Sequence, residues 1–146
     1  MTAINACGSR WYDMSLRRAV IQQLRQHVYP LAGNAFQAYL APVNVNPPYA
    51  TVKMAGIRGA TELPFAGDQQ IEVRIYRRQD DFVTLDALKQ MAVVALNGVV
   101  LTDAPTGERY WIKWTPFGAG DFVDEERRLI GCLITFEASI IHERSR

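Results

Sequence analysis

The chain carries few of the side chains that covalent or acid–base catalysis requires. A hydrolase or transferase needs a nucleophile, a base and a group that orients the base. The only histidines are His27, near the end of a predicted helix, and His142, beside Glu143 and Arg144. Neither lies in a GxSxG, HExxH or cysteine-protease context. The sequence therefore predicts no active site, and we expect that the protein is not an enzyme.

Acidic residues and cysteines are the side chains that could bind a metal ion. Acidic residues cluster at Asp80–Asp81 and within 121–126, and the second cluster lacks the regular ligand spacing and the glycine of a calcium loop. Cys7 and Cys132 form no CxxC pair, which favours a reducing compartment. Because Cys132 falls on the apolar face of a predicted strand, we expect a small buried core residue. We expect no metal ion and no cofactor.

Signals for phosphate and nucleic-acid binding are weak. The segment GIRGATE, 56–62, has two glycines and an arginine but lacks the lysine–serine end of a P-loop. The segments RYWIKWTP and RIYRR mix aromatic and basic residues, as a surface that binds single-stranded nucleic acid would. We favour the alternative in which Tyr110, Ile112 and Trp114 pack the core.

Composition and charge describe a single folded domain. The chain has 146 residues, of which 49% are hydrophobic, a content too high for a disordered chain. Sixteen basic and 15 acidic residues give a net charge of +1, which argues against binding nucleic acid by bulk charge. Thirteen of the basic residues are arginines, which are favoured at interfaces and also result from a GC-rich genome. The opening residues show no secretory signal pattern, and the apolar run 91–101 is too short to span a bilayer.

The first half of the chain predicts one helix and three strands. Ser15 is a good N-cap for a helix that ends near Tyr29, since Pro30 cannot extend it. Residues 1–13 would then form an extension that is mobile unless a partner orders it. The predicted strands are 36–41, 49–55 and 69–78, and 56–68 is a long glycine-containing loop. In the third strand, alternation predicts that Ile71, Val73 and Ile75 are buried and that Glu72, Arg74 and Tyr76 lie on a polar face.

The second half predicts a further helix and three more strands. Asp80 or Asp81 can cap a helix from Phe82 to Leu96, with a buried face of Leu85, Leu88, Ala92, Ala95 and Leu96. The predicted strands are 99–101, 109–116 and 128–141. A glycine-rich and then acidic loop, FGAGDFVDEERR, occupies 117–128 between the last two.

This order of elements resembles the tail terminator proteins of long-tailed bacteriophages, also called tail completion or tail-to-head joining proteins. The matching pieces are a basic amphipathic first helix, Pro48–Tyr49 at the start of a strand, Val73-x-Ile75 in a strand that leads into a helix, and Gly131 to Phe136 in a late strand. The resemblance covers about residues 14–141, so that 14–146 would form the domain. Residues 1–13 extend beyond the usual start, and the role of the segment 116–128 does not carry over.

The resemblance implies a fold and a role. The fold would be α+β, with a mixed, mainly antiparallel sheet flanked by two helices. Six copies would form a ring that caps the tail tube, ends its polymerisation and provides the surface for joining tail to head. The implied partners are other copies of the chain, the tail tube protein and a head connector or head-closure protein. Phage DNA would pass through the ring without being read, no membrane would be involved, and the location would be the head-proximal end of the virion tail, after assembly in the host cytoplasm.

Three groups of residues are candidates for the subunit contacts. A six-fold ring needs two different patches on each subunit, and opposite charges on them would set the orientation. One candidate is the arginine face of the first helix, formed by Arg17, Arg18 and Arg25. Another is the acidic segment with Asp121, Asp124, Glu125 and Glu126, although both groups would also suit a merely solvated surface. The third is the loop 56–68, in which Arg58 and Glu62 are predicted to meet the tube or the neighbouring subunit.

Two other functions remain open at this point. The first is a different virion part, a head-closure or neck protein of the connector. The second is a small ligand-binding or enzymatic α+β domain, which predicts a concave pocket with convergent polar groups.

Overall fold

The described part of the chain forms a six-stranded sheet and two helices. The computed structural model describes residues 8–42, 44–58, 68–79 and 81–141. Its elements are α1 (Gly8–His27), a 3-10 turn (Tyr29–Leu31), β1 (Ala35–Gln37), β2 (Tyr49–Arg58), β3 (Asp68–Arg78), α2 (Phe82–Leu96), β4 (Val99–Thr102), β5 (Arg109–Asp124) and β6 (Leu129–Ile141). The strand order is β1-β2-β3-β6-β5-β4. Only the β1–β2 pair is parallel among the pairs in these residues, which confirms the predicted mixed, mainly antiparallel α+β fold.

The core lies between the two helices and one face of the sheet. Alternation along β3 places Ile71, Val73 and Ile75 in this layer, each fully buried, as predicted. The predicted buried face of α2 is also confirmed (Leu85, Leu88, Ala92, Ala95 and Leu96). Asp81 caps this helix, since the Thr84 backbone N–H donates to its Oδ1 at 3.1 Å, whereas Asp80 lies outside the described residues.

The first helix begins earlier than its sequence signal indicates. Ser15 was expected to be the N-cap, but the helix starts at Gly8, and Ser15 lies in its interior with 1% of its surface exposed. The Ser15 hydroxyl lies 3.1 Å from Thr106 Oγ1, so a tertiary contact satisfies the group that would otherwise cap a helix. Part of the predicted extension 1–13 is therefore helical from Gly8 onward, and residues 1–7 lie outside the described residues.

Two strand boundaries in the first half also differ from expectation. The predicted strand 36–41 is limited to Ala35–Gln37, because the chain turns at Tyr39, whose φ is +69°. The predicted loop 56–68 is shorter, since β2 continues to Arg58 and Gly56 to Arg58 pair with Gln70 to Asp68. An irregularity between Met54 and Gly56 lets the ladder continue past the glycine. Residues 59–67 lie outside the described residues.

The predicted loop 117–128 is largely a strand. β5 continues to Asp124 beside β6, and only a short turn at 125–128 connects the two strands. Between the pairs Thr115↔Thr135 and Gly120↔Leu133, four residues of β5 face Ile134 alone. This bulge contains Pro116 and Gly118, two of the residues that favoured a loop. The bulge inserts three extra residues into β5. Because this number is odd, it shifts the alternation of faces by one residue, and Phe122 lies on the same face of the sheet as Thr115.

None of the described helices is long and apolar enough to cross a bilayer.

Candidate assembly surfaces

The arginine face of α1 is used inside the subunit. Arg18 donates from Nε and Nη2 to the two carboxylate oxygens of Asp103, each at 2.7 Å. Asp103 is 2% exposed and also accepts a hydrogen bond from the Thr106 hydroxyl at 2.7 Å. The hydrogen bonds from Arg18 hold the pKa of Asp103 below its usual range and raise that of Arg18, although burial opposes both shifts. Arg18 therefore joins α1 to the turn between β4 and β5.

Arg25 makes a second internal contact of this kind. Its Nε and Nη2 donate to the carbonyl oxygen of Ala35 at 3.0 and 2.8 Å, and its guanidinium lies 6.0 Å from the centre of the Phe36 ring. Arg25 thereby attaches the short strand β1 to α1. Arg17 is half-buried, and its Nε has no hydrogen-bond partner among the described residues. Arg18 and Arg25, two of the three predicted arginines, lie on one face of α1 and therefore attach the helix to other elements of the same subunit.

The predicted acidic cluster lies at the connected end of the β5–β6 hairpin. Asp121 and Asp124 are strand residues, opposite Cys132 and Leu129, and Glu125 and Glu126 are exposed in the turn. Asp124 is engaged locally, because its Oδ1 accepts the Arg127 backbone N–H at 3.2 Å. The cluster therefore presents Asp121, Glu125 and Glu126 to solvent.

The acidic cluster and the Arg18–Asp103 pair lie at opposite ends of the sheet. Asp103 follows Thr102 of β4, which pairs with Arg109 of β5. Arg109 in turn pairs with Ile141 at the end of β6, whereas Asp124 pairs with Leu129 at the start of β6. Leu129 and Ile141 are twelve residue steps apart on β6, roughly 40 Å of extended strand. The fold therefore separates these two groups of charge within one subunit.

The third predicted surface is only partly described. Arg58 is the last residue of β2 and pairs through its backbone with Asp68. Glu62 lies outside the described residues. The prediction that 56–68 meets the tube or a neighbouring subunit stays a prediction.

A cleft that the sequence did not predict lies on the sheet face opposite the helices. Its volume is about 530 Å³, and we call it the tyrosine cleft; it is lined by Ala38, Tyr39, Ala41, Pro42, Tyr49, Thr51, Arg74, Tyr76, Asp124 and Arg127. The Tyr49 and Tyr76 rings are stacked with centres 4.7 Å apart, and Phe122 meets Tyr76 edge-on at 5.6 Å. The sequence analysis had identified only one part of this cleft, the polar face of β3 that carries Arg74 and Tyr76.

Two arginines that line the tyrosine cleft, Arg127 and Arg74, contact neighbouring side chains. Burial raises the pKa of Tyr49, while the Arg127 guanidinium, whose Nη1 donates to the tyrosine oxygen at 3.3 Å, opposes the rise. Arg74 Nη1 lies 3.1 Å from Glu72 Oε1 on the same strand. The cleft thus combines aromatic rings with arginines, a composition typical of protein interfaces.

A second apolar feature lies near the opposite edge of the sheet. Tyr110 and Ile112 are fully buried and Trp114 packs against the core, which confirms their predicted core role. Trp111 points the other way and is 46% exposed, directly opposite Val100, which is 47% exposed. We call Trp111 and Val100 the tryptophan corner.

The chemistry available in the described residues is limited. Cys132 is fully buried, as predicted, and burial raises the pKa of its thiol to about 11. The thiolate that would act as a nucleophile is therefore scarce at neutral pH. No group of three or more His, Cys, Asp or Glu side chains within the described ranges is arranged to hold a metal ion.

Comparisons with known proteins bear on the fold. No protein-family model and no curated protein matches the sequence. The structure is similar to a chain in a solved structure described as the virion of a native gene transfer agent (GTA) particle. The two share 19% sequence identity with a TM-score of 0.63, and the match covers 86% of this chain and 93% of that chain. This likeness shows a common fold over almost the whole of both chains.

Proposed function

We propose that the protein is a structural virion subunit, and that six copies form a ring that caps the tail tube. The ring ends tube polymerisation and provides the surface for joining tail to head. The observation that carries the proposal is the fold that 86% of this chain shares with 93% of a chain in a gene transfer agent virion. The order of elements that resembles tail terminator proteins supports the same role. The protein would then act without catalysis, at the head-proximal end of the virion tail.

The distribution of charge supports a ring of this kind. A cyclic assembly uses a heterologous contact, in which one patch of a subunit meets a different patch of the next. The exposed acidic residues lie at the connected end of the β5–β6 hairpin, about twelve residue steps along β6 from the Arg18–Asp103 pair. Because Arg18 is already paired with Asp103 within the subunit, the exposed acidic residues at the other end of the sheet are left for a neighbouring subunit or another virion protein. The tail tube protein and a head connector or head-closure protein would contact the two open faces of the ring.

Electron microscopy of particles that lack the protein tests this function. A tail terminator predicts overlong tails, or tails that are not joined to heads. Leakage of DNA from filled heads would instead identify a head-closure or neck protein of the connector. Particles of normal tail length joined to full heads would contradict both virion functions.

The loop 56–68 is proposed to contact the tube or a neighbouring subunit. Deletion of residues 59–67, with a two-residue Asn-Gly turn put in their place, shortens the connection and allows Arg58 and Asp68 to stay paired. We expect particles carrying this deletion to have unjoined tails or tails of abnormal length. Normal, joined tails would show that the loop is not needed for assembly.

A further inference from the structure

We propose that an extended segment of a second virion protein adds to the sheet as a further strand beside β4. The inference rests on the proposed function and names one kind of contact that the subunit makes in the particle. Its site is the groove between α1 and β4, which we call the edge groove. This groove has a volume of about 510 Å³, and Val100, Leu101 and Thr102 of β4 form one of its walls.

The backbone of β4 presents hydrogen-bonding groups to the edge groove. β4 is the last strand of the described sheet, and within the described residues it pairs with β5 alone. The Asp103 N–H, directly after β4, donates to the Glu108 carbonyl oxygen at 2.8 Å, so the backbone of Asp103 faces β5. Because successive residues of an antiparallel strand face opposite sides, Leu101 also faces β5, whereas the N–H and C=O groups of Val100 and Thr102 point away from it. An added strand forms its hydrogen bonds with such outward groups.

The opposite edge of the sheet, at β1, is engaged within the subunit. The Ala35 carbonyl oxygen accepts two hydrogen bonds from Arg25, and the Gln37 carbonyl oxygen accepts one from the Leu40 N–H at 3.0 Å. Among the described residues, no comparable contact covers the outward groups of β4. Free strand edges recruit other chains, and proteins commonly cover the edges that must stay unpaired. The edge at β4 is therefore the better suited of the two to pairing with another chain.

Two further stretches of strand edge are interrupted. Beyond the end of β4, the Trp114 N–H of β5 donates to Asn97 Oδ1 at 3.0 Å, and Pro116 in the bulge has no N–H to donate. Beyond the end of β1, β2 has an irregularity between Met54 and Gly56. Bulges and prolines disfavour the addition of a strand. The edge groove is thus the regular stretch of open edge in the described sheet.

The helix α1 forms the other wall of the edge groove and carries amide side chains there. Gln22 and Gln26 are exposed and lie one turn apart, on the face of α1 that also carries Arg18 and Ala19. Arg18 is engaged by Asp103, whereas a glutamine amide both donates and accepts hydrogen bonds. We therefore expect the side chains of the bound segment that point toward α1 to be short and polar.

The tryptophan corner indicates the chemistry on the other face of the bound segment. Val100 and Trp111 are 47% and 46% exposed and are paired across β4 and β5. A strand added beside β4 places every second side chain on this face, next to Val100. An apolar side chain at that position removes its own surface and that of Val100 from water. The expected partner is therefore an extended segment in which short polar residues alternate with apolar ones.

The shape of the edge groove favours such a segment over a second copy of this chain. Its volume of about 510 Å³ is within the range of sites that bind small ligands. A second copy paired antiparallel through its own β4 would bring its own α1 to the same face of the joined sheet, beside the α1 already there. A single extended segment brings no helix into this space.

Amide hydrogen exchange with single-residue resolution tests the strand addition. In the purified chain, the Val100 and Thr102 amides should exchange quickly, and the Leu101 amide slowly because it faces β5. In purified particles, the Val100 and Thr102 amides should exchange roughly tenfold more slowly or less, with Leu101 unchanged. Equal exchange in the free chain and in particles would overturn the proposal. Slow exchange that appears in the free chain as its concentration is raised would identify a second copy as the occupant and would also overturn it.

Two substitutions at Val100 separate backbone pairing from side-chain contact. Val100→Pro removes the outward N–H without removing a hydrogen bond to β5, and proline is tolerated at such edge positions. When the parent chain and this variant compete for particles, the parent should be incorporated roughly tenfold more, since a carbonyl of the bound segment loses its donor. Val100→Thr keeps the N–H and the branched shape, and it should be incorporated nearly as well as the parent. Equal incorporation of Val100→Pro and Val100→Thr would overturn the proposal.

A second variant guards against a failure to fold. Thermal unfolding of each purified variant within a few degrees of the parent chain establishes that it folds. Thr102→Pro removes the other outward N–H of β4 and should be excluded from particles in the same way as Val100→Pro. Incorporation of a folded Thr102→Pro at the level of the parent would overturn the proposal.

The outcomes separate this contact from the proposed function. Particles that contain the protein but leave the Val100 and Thr102 amides unprotected would overturn the strand addition and leave the virion function standing. Particles that contain no copies of the protein would contradict the function itself and the contact with it.

Discussion

Asp103 is the residue on which the attachment of α1 to the β4–β5 turn depends. It is buried and accepts hydrogen bonds from Arg18 and Thr106. Asp103→Asn removes the charge and one of the acceptor oxygens that Arg18 uses, so we expect the free energy of unfolding to fall by about 2 kcal/mol. Urea denaturation measures this change. Asp86→Asn, at an exposed position of α2, is the control and should alter the stability little; equal effects of the two substitutions would contradict the role of Asp103.

The same carboxylate predicts a dependence of stability on pH. The pKa of Asp103 is lowered in the folded protein, so its contribution is fully present above the unfolded-state pKa of about 3.9 and is lost as the pH falls through the lower folded-state pKa. The stability difference between the parent chain and Asp103→Asn should therefore be constant from pH 7 to about pH 5 and shrink below about pH 4. Urea denaturation across this range measures it. A difference that grows on acidification would have the wrong sign.

The partners of individual charged residues could not be predicted from the sequence. Helical periodicity placed Arg18 and Arg25 on the polar side of α1, but Arg18 meets a residue 85 positions away and Arg25 meets a backbone carbonyl. Such contacts depend on how the elements pack, and periodicity carries no information about that packing. Burial on alternating positions was predictable because it depends only on the local period, as Ile71, Val73 and Ile75 show.

At the scale of elements, Gly131 of β6 leaves room for the Phe122 ring, which packs edge-on against Tyr76. A Cβ added at Gly131 would overlap the Phe122 ring, whose Cε1 would lie 2.6 Å away, and would approach the carbonyl oxygen of Ile75 at 3.0 Å. Gly131→Ala should therefore lower the free energy of unfolding by about 2 kcal/mol, as overpacking does. Gly120→Ala is the matched control, since a Cβ there meets nothing within 4 Å.

A second substitution identifies the cause of that loss. Phe122→Leu shortens the side chain that would collide with the new methyl group. In a double-mutant cycle, Gly131→Ala should cost less stability in the Phe122→Leu background than in the parent chain. Equal costs in both backgrounds would show that the overlap with Phe122 is not responsible.

The boundaries of the elements were predictable where the signals were local. The helix Phe82–Leu96 was predicted with its limits and its buried face, because a capping aspartate and a clear apolar stripe define it. The second half of β5 was expected to be a loop, since Pro116, Gly118 and Gly120 disfavour strands. Pairing with β6 outweighs that preference and accommodates the extra residues in a bulge. The tyrosine cleft was not predicted because the segment after β1, the strands β2 and β3, and the β5–β6 hairpin each contribute part of it.

At the scale of the whole molecule, the near-neutral charge fits the proposed ring, through which DNA would pass. Tight binding of phosphates would oppose the sliding of DNA through the ring. With a net charge of +1, the purified protein should show no tight binding to double-stranded DNA at low salt in a gel-shift or anisotropy assay. Tight binding that weakens steeply with added salt would indicate a charged DNA surface and contradict this feature of the proposal.

The proposed function depends on where the protein lies in the particle and on how many copies are there. A cryo-electron microscopy reconstruction of intact particles containing the protein, focused on the junction of tail and head, addresses both. The proposal predicts a ring of six densities at the end of the tail tube, each matching the six-stranded sheet with its two helices. Density for this fold at another position in the particle, or in a number that is not a six-fold ring, would contradict it.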